Sequence, residues 1–454
     1  SSTGVTEVEV VGPAGIFGAI ETVMLTPQAQ GDFVYGINNQ IFNETSFLGA
    51  TIEVSGGMCN LSSGTNPNGS ATVALRRGLK YRPGQGSMFR ATALFDTPSA
   101  GNAQFLGTGT SECGYFIGYF ATSFGVLHSL TGQREIRKLD ITTAAGTDDI
   151  TLTLNGEAIS VPVTGGAALT QTAYQIGLGD YSQIGGTAGG FLTDVISSSV
   201  YFIAARSNTT STGSYSVAGS SIVGSFTRET AGLDQVNTFI PSGSFNRDKL
   251  DGSGASEMTI DTTKGNVFEI AFQYLGFGNA AFSIEDPRTG KLFPFHMIQN
   301  ANSRTTPVLK NPNLSALVTS ANIDGGTTSK TIKTASLASF IEGEVIKLDP
   351  KFSLSFPFAS LNSATYKPLA IMKANRIFNG ESSFGEFDFL RIAASNESTS
   401  KTLTVGFFLN SQVTGDVNYQ YVDENNSTVS YDQLNPSSQT IVDLSNQVPF
   451  YETI

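Results

Sequence analysis

Short segments in which apolar and polar residues alternate run through this chain and constrain its fold more than any other feature. Typical examples are ATVALRRGLKY, SMFRATALF, DITLTLNG, NVFEIAFQYLGF, AAFSIED and KTLTVGFFL. A period of two places every second side chain on the same face of a β-strand, and the Gly, Asn, Asp, Ser and Pro clusters between the segments form turns. Many short strands separated by turns are typical of sandwiches and barrels. The sequence therefore predicts a mainly β chain with serial antiparallel β-sandwich domains.

Helical periodicity is almost missing from the sequence. One segment, GAALTQTAYQIGLGD at 166–180, places Leu169, Ala173 and Ile176 on one face and ends in glycines, as a helix does. A weaker helix candidate is ASLASFIEG at 335–343. We expect the first helix to belong to a small α/β module inserted into one of the sandwiches.

Changes of composition along the chain predict four blocks. Residues 1–69 form an N-terminal β region for assembly or anchoring, and residues 346–454 form a C-terminal β-sandwich domain. Residues 70–134 and 229–345 share a strand-rich style and are expected to form one sandwich, interrupted by the α/β module at 135–228. Such an insertion is physically inexpensive, because lengthening a surface loop adds little closure entropy. With Ser at the first position and the strand-like VPFYETI at the end, we expect a processed or partial form of a longer polypeptide.

The composition argues against several classes of function. A net charge of −12 does not suit nucleic acid, whose phosphates attract clustered Lys and Arg. The sequence has no run of about 18 apolar residues, so no membrane insertion is expected. Two histidines, two cysteines and 14% charged residues leave little material for acid–base or metal chemistry. We therefore expect a protein that is not an enzyme, with no catalytic residues, no cofactor and no metal.

The titratable residues that a catalytic or metal site would need have structural interpretations. His128 and His296 each follow an apolar stretch, and no GxSxG motif accompanies either of them. The segment DKLDGSGASE lacks the full DxDxDG spacing of a calcium loop and is interpreted as a plain loop; its acidic residues are Asp248, Asp251 and Glu257. Three adjacent acidic pairs fall in predicted turns, where carboxylates bond to the local backbone: Asp148–Asp149, Glu285–Asp286 and Asp423–Glu424.

The two cysteines, Cys59 and Cys113, allow two interpretations. Neither belongs to a CxxC pair, so they cannot form a zinc knuckle. Because free cysteine is one of the residue types most often found buried, we favour two separate thiols, with a single Cys59–Cys113 disulfide as the alternative.

Clustered aromatic residues supply the one positive indication of binding. Aromatic side chains are dense in GYFIGYFATSFG, and two more flank a glycine turn in QYLGFG. Strand alternation sends half of each set into a core, and the other half could stack on sugar rings or on a neighbouring subunit. The candidates for surface contact are Tyr115, Tyr119, Tyr274 and Phe277.

Four segments resemble a family of virion structural proteins from marine tailed phages and from large algal and protist viruses. They are LRRGLKYRPGQGSMFRATALFDT, GYFIGYFATSFGVLHSLTGQREIRKL, TTKGNVFEIAFQYLGFGNAAFSIEDPRTGKLFPFHMIQNANSRTTPVLKNPNL and TYKPLAIMKANRIFNG, in that order. The resemblance covers about residues 75–430, and its middle part is also similar to jelly-roll or lectin-like sandwiches of the concanavalin and laminin-G kind. For the interrupted sandwich the resemblance implies a lectin-like fold.

The resemblance also implies a place and a role. We expect a non-enzymatic protein of the virion surface, a fibre, spike or capsid decoration, which serves host attachment or particle assembly. Its expected partners are other virion proteins, further copies of itself in a homo-oligomer such as a trimer, and host surface glycan. Two alternatives stay open: a polysaccharide-degrading enzyme like a tailspike, and a cellular adhesin or surface-layer protein.

Overall fold

A computed structural model describes most of the chain from residue 24 to residue 453. It does not describe residues 1–23, 145, 164–167, 186–188, 209, 220, 345–349, 357–362, 364, 384, 386, 388, 390–403, 409–410, 443–446 and 454.

The described residues form 29 β-strands and one α-helix. The strands of the first half are β1 (Leu25–Asp32), β2 (Phe42–Phe47), β3 (Thr51–Ser55), β4 (Met58–Ser62), β5 (Ser70–Leu75), β6 (Ser87–Ala93), β7 (Asn102–Gly109), β8 (Gly114–Phe120), β9 (Ser123–Thr143), β10 (Asp148–Leu154), β11 (Glu157–Val163), β12 (Phe191–Ile196), β13 (Ser199–Ser207), β14 (Ser216–Ala218) and β15 (Val223–Thr230). The helix α1 (Leu169–Gly177) lies between β11 and β12. The remaining strands are β16 (Leu233–Pro241), β17 (Asn266–Phe272), β18 (Ala280–Glu285), β19 (Leu292–Ile298), β20 (Ser315–Asn322), β21 (Thr331–Thr334), β22 (Ser336–Glu342), β23 (Ala370–Ala374), β24 (Ile377–Phe378), β25 (Glu381–Ser382), β26 (Thr404–Phe408), β27 (Gln420–Tyr421), β28 (Val429–Gln433) and β29 (Gln447–Thr453).

Two large antiparallel sheets face each other and form the main sandwich. A six-stranded sheet has the order β1-β22-β6-β17-β18-β19, and a ten-stranded sheet has the order β12-β13-β9-β8-β7-β20-β5-β2, with β15 and β16 also paired to β9. The small sheet β21-β4-β3 contacts both of them at one side. The prediction of a mainly β chain with antiparallel sheets is confirmed.

The main core lies between the two large sheets and is rich in phenylalanine. Phe89 and Phe268, on β6 and β17, and Phe282 and Phe295, on β18 and β19, are all fully buried there. Burying a Phe side chain stabilises a fold by roughly 1.5–3 kcal/mol, so these rings account for much of the cohesion between the sheets. The excess of Phe over Tyr in the sequence follows from this packing.

Alternation on the central strands of the ten-stranded sheet builds two different faces. Leu106, Ile117 and Val126 are neighbours across β7, β8 and β9, and they point into the main core. Phe116 precedes Ile117 on β8, and Leu127 follows Val126 on β9. These two residues form a cross-strand pair on the outer face. The outer face therefore carries its own apolar cluster.

A separate core surrounds α1. Strands β10, β11 and β14 form a three-stranded sheet, and their inward residues pack with Ala173 and Ile176 of the helix. The helix predicted at 166–180 is confirmed for its described part, including its buried face. Gly177 suits the end of α1, because a Cβ there would lie 2.1 Å from Val195 Cγ2.

In the described part of the chain, no helix is both long and apolar enough to cross a membrane.

The weaker helix prediction, at 335–343, is wrong. The segment is strand β22, which pairs with β1 on one side and β6 on the other. Leu337, Ser339 and Ile341 are buried with a period of two. The short apolar segment fits either periodicity, and the pairing with two long-range neighbours selects the strand.

Strand pairing crosses the predicted block boundaries, and the boundaries themselves stay predictions. Within the predicted N-terminal block, β1, β2 and β4 pair with β22, β5 and β21, which lie outside it, and β3 pairs with β4. Strand β9 continues across the predicted boundary at residue 134 and pairs with β8 and with β13. Residues 1–23 of the predicted assembly region lie outside the described part.

The described C-terminal strands form small sheets that pack near α1. Strands β23, β28 and β27 form one of these sheets. Tyr174 of α1 shares an apolar cluster with Val413, Val417, Tyr419 and Leu434. The backbone N–H of Ser197 also donates to the Tyr419 carbonyl at 3.1 Å. These contacts hold the C-terminal residues beside the outer face of the ten-stranded sheet.

Candidate binding groove

A groove with a volume of about 2130 Å³ runs between the outer face of the ten-stranded sheet and the C-terminal residues. Its floor is made by β2, β5, β20, β7, β8 and β9, and its opposite wall includes Tyr366, Met372 and Phe389.

Hydroxyl and amide groups line one side of the floor. Asn43 and Thr45 on β2 lie beside Thr72 on β5 and Thr319 on β20. The Thr72 and Thr319 hydroxyl oxygens are 2.8 Å apart, and Thr319 also donates to the Ala71 carbonyl at 3.1 Å. All four side chains are partly exposed, and hydroxyl and amide groups can both donate and accept hydrogen bonds.

An aromatic cluster forms the centre of the floor. Phe105 and Phe116 lie with ring centroids 6.1 Å apart, next to Leu127 and Leu317. The Phe116 ring lies over Gly109, where an added Cβ would come within 2.3 Å of its Cζ atom. Glycine at this position lets the Phe116 ring lie close to the sheet, which leaves the space above it open.

Cations outnumber acids among the residues that line the groove. The cations are Arg76, Arg134, Arg206, Lys367, Lys373 and Arg376, and the acids are Asp194, Asp234 and Asp324. The whole chain has 26 basic and 38 acidic residues, so the groove is positively charged although the protein as a whole is negatively charged.

Two of these cations have evident structural roles. Lys373 pairs with the buried Asp194 carboxylate, donates to the Val195 carbonyl at 2.6 Å and lies 4.4 Å from the centre of the Tyr419 ring. Burial lowers the pKa of Lys373, and the Asp194 charge acts in the opposite direction. Arg206 donates to the carbonyls of Asn322, Asn68 and Gly69 and so fastens two turns at the end of the sheet.

The four predicted surface aromatics are not part of the groove, and one of them is fully inside the protein. Tyr115 is 1% exposed and stacks on His128 in the main core, because the alternation along β8 directs its side chain inward. Its prediction as a surface-contact residue is therefore wrong. Tyr119 is half-buried and bonds to Thr262, and Tyr274 is half-buried and donates to the Leu309 carbonyl. Phe277 alone among the four is exposed.

Both histidines are buried as structural residues. His128 Nε2 lies 2.8 Å from the Val308 carbonyl, and His296 Nδ1 accepts the Asn246 N–H at 3.3 Å. Burial lowers the pKa of each imidazole to about 4. Each ring is therefore neutral at pH 7, and the Val308 contact requires that His128 carry its proton on Nε2.

The cysteines are two free, buried thiols. Cys59 lies on β4, whereas Cys113 precedes β8 and its thiol donates to the Asn311 carbonyl at 3.4 Å. The alternative of a Cys59–Cys113 disulfide does not occur in this structure. Burial raises the pKa of Cys59 to about 12, which makes it an inert thiol.

The acidic loop considered for calcium is closed by its own hydrogen bonds. The buried Asp248 carboxylate accepts the N–H groups of Leu250 and Ser256, each at 2.8 Å. Asp251 caps Ser253, and Glu257 pairs with Arg288. In the residues that the structure describes, no group of three or more His, Cys, Asp or Glu side chains could hold a metal ion.

The adjacent acidic pairs also bond within the fold, two of them to neighbouring residues and Asp148 to a residue 73 positions away. Asp148 binds Ser221 at the start of β10, Asp286 binds Arg288, and Asp423 caps Asn425 and Asn426. None of these three acidic residues is among those that line the groove.

Sequence reasoning did not find the groove. Alternation along each strand predicts which side chains share a face of that strand. The side chains of the groove floor, however, come from six strands spread over nearly 300 positions of the sequence. A usable signal was present: the outward positions of β7 and β8 include glycines and phenylalanines, which indicates that the outer face is packed and not simply solvated.

Comparisons with known proteins give structural similarity only. No family model and no curated protein matches the chain. Among solved structures, the chain is similar to peanut lectin with a nine-residue peptide, at 9% identity and a TM-score of 0.28, covering 70% of this chain and 99% of that one. It is also similar to metal-free lectin I-B4 from Griffonia simplicifolia, at 8% identity and a TM-score of 0.27, covering 69% and 99%.

A third similar structure is the carbohydrate recognition domain of Emp47p, at 8% identity and a TM-score of 0.27, covering 70% of this chain and 97% of that one. These neighbours are lectin-like β-sandwiches. At such TM-scores the similarity carries no argument about what this chain binds, and the virion-protein resemblance stays a prediction.

Proposed function

We propose that the chain is a non-enzymatic binding protein of a virus surface, and that its groove holds a host glycan. The observation that carries the proposal is the floor of the groove, where hydroxyl and amide groups border a cluster of aromatic rings. Sugars present hydroxyl groups around their edges and C–H groups on their faces, so such a floor offers hydrogen bonds and apolar contact together.

The virion location rests on the sequence resemblance. We infer attachment to the particle as a homo-oligomer, because among the described strands the six-stranded sheet ends in β1 and β19, and sheet edges are safest when they are covered in an assembly. Immunogold labelling of purified particles is expected to mark their surface, and the protein released from them is expected to exceed the 47.9 kDa of one chain. Labelling confined to cellular material would contradict the location.

Blocking the groove is expected to abolish glycan binding while the fold is kept. Thr319→Trp places an indole on the floor, where the space above the sheet can accommodate it. Affinity for an oligosaccharide first selected on a glycan array should fall by about tenfold or more, which corresponds to about 1.4 kcal/mol. Isothermal titration calorimetry on both proteins measures the change.

The matched control is Thr227→Trp, at an exposed position of β15 outside the groove. It adds the same side chain to the same kind of strand and should leave the affinity unchanged. Equal affinities for wild type and Thr319→Trp would place the site elsewhere. Release of shortened sugar chains during the incubation would instead support the polysaccharide-degrading alternative.

A further inference from the structure

Three arginines from distant parts of the chain meet at the groove. Arg76 follows β5, Arg134 lies within β9, and Arg376 lies between β23 and β24. Burial is the main cause that lowers the pKa of Arg76 and of Arg134, and the charge of Arg376 lowers both further, so Arg376 lies close enough to repel each of the other two. Like charges brought together in this way repel, and a bound anion would relieve the repulsion.

Most of the donor groups of these arginines are not used by the described residues. Arg76 Nε donates to the Asn39 carbonyl at 2.5 Å and Arg134 Nε to Ser382 Oγ at 3.2 Å. Arg376 Nη1 donates to the Thr193 carbonyl at 3.0 Å. A guanidinium has five N–H donors in a planar fork, so one bond each within the described part of the chain leaves a large capacity for a planar or tetrahedral oxyanion.

Two of the three acids near the cluster already have other partners, and the third, Glu44, acts on Arg76 only through its charge. Glu112 lies close to Arg134 but also pairs with Lys310, at 3.7 Å. Asp194 pairs with Lys373, and it receives the backbone N–H of Arg376 at 2.9 Å, not the guanidinium. Arg134 is itself 7% exposed, and its burial lowers its pKa to about 10, so it keeps its charge at neutral pH in a site that costs desolvation.

A buried amide oxygen beside the arginines indicates what accompanies the anion. Asn375, next to Arg376, is 2% exposed and lines the groove. Its Nδ2 donates to Ser430 Oγ at 2.6 Å, whereas its Oδ1 has no hydrogen-bond partner among the described residues. An unpaired buried acceptor is costly, and a ligand hydroxyl would satisfy it. A hydroxyl and an anion in one ligand are the chemistry of an acidic sugar.

We propose that the arginine end of the groove binds the carboxylate or sulfate groups of an acidic polysaccharide. The inference rests on the proposed function and specifies its ligand class. Arginine pairs with oxyanions through two parallel hydrogen bonds, which gives orientation as well as affinity. In this arrangement Asn375 accepts a neighbouring sugar hydroxyl, and the aromatic floor contacts the sugar units that follow.

The test compares acidic and neutral glycans on the intact protein. The probes are oligogalacturonate, which carries carboxylates, dextran sulfate, which carries sulfates, and neutral dextran. Arg76→Gln and Arg376→Gln change exposed side chains and should fold normally. Each is expected to weaken binding of the preferred acidic probe by about tenfold, as loss of a charged hydrogen bond does, with little effect on neutral dextran.

The matched control is Arg228→Gln, which removes an equal charge from an exposed position outside the groove. If Arg228→Gln weakens acidic binding as much as the other two variants do, the effect is general attraction and the inference is overturned. If neutral and acidic probes bind equally and the groove variants change neither, the inference fails while glycan binding survives. If no probe binds, both the inference and the proposed function fail.

Discussion

Lowering the pH from 7 to 5 is expected to reduce the free energy of unfolding by about 2 kcal/mol for each of the two histidines. Burial lowers the pKa of His128 and of His296 from 6.5 to about 4, so both rings are neutral in the folded protein throughout this range. In the unfolded chain they take up protons below about pH 6.5. The stabilisation is therefore complete above pH 6.5 and is lost as the pH falls towards 4. Urea unfolding at half-unit steps of pH measures it.

His128→Gln separates the histidine contribution from that of the carboxyl groups. Glutamine keeps an N–H donor for the Val308 carbonyl but does not titrate, so the variant should lose about half of the pH dependence. The raised pKa values of Glu44 and Asp432 act in the opposite direction and are common to both proteins. An unfolding free energy that is constant from pH 7 to 5, or equally steep in the variant, would contradict the burial of neutral imidazoles.

Gly118→Ala is expected to lower the free energy of unfolding by about 3 kcal/mol or more. Gly118 lies in the middle of β8 with a φ of 151°, which side chains rarely adopt. An added Cβ would lie 2.0 Å from the Gln104 carbonyl oxygen on β7 and 3.0 Å from the Phe95 ring. Because the closest atom belongs to the backbone of the paired strand, it cannot move aside without breaking the pairing. Chemical denaturation monitored by tyrosine fluorescence measures the change.

The control is Gly243→Ala, in the exposed 3₁₀ turn Ser242–Ser244. No atom lies within 4 Å of the Cβ position there, so the same substitution should change the stability by less than about 0.5 kcal/mol. A Gly118→Ala protein as stable as the control would mean that β7 and β8 are not paired in the observed register.

The strands could be predicted from the sequence because alternation is local, but their partners could not. NVFEIAFQYLGF and AAFSIED predict strands, and they form β17 and β18. ASLASFIEG allows both a helix and a strand, and only the long-range pairing of β22 with β1 and β6 decides between them. The helix α1 was predictable because its apolar face and terminal glycines agree.

The binding site was beyond the reach of local patterns for a related reason. Alternation shows that Tyr115 and Phe116 point to opposite faces of β8, but not which face is the main core. In the structure both are buried, Tyr115 between the large sheets and Phe116 on the outer face under the groove. Arg76, Arg134 and Arg376 are up to 300 positions apart, and they line one groove because the sheet order places β5 and β9 in the same sheet and the C-terminal residues pack against its outer face.

The position of a bound sugar shows directly whether the groove is the glycan site. Crystals of the protein soaked with the highest-affinity oligosaccharide from the array would show where the ligand lies. We expect electron density over the Phe105–Phe116 cluster, with sugar hydroxyls bonded to Thr72 or Thr319. Density at the exposed Phe277 loop, with an empty groove, would contradict it.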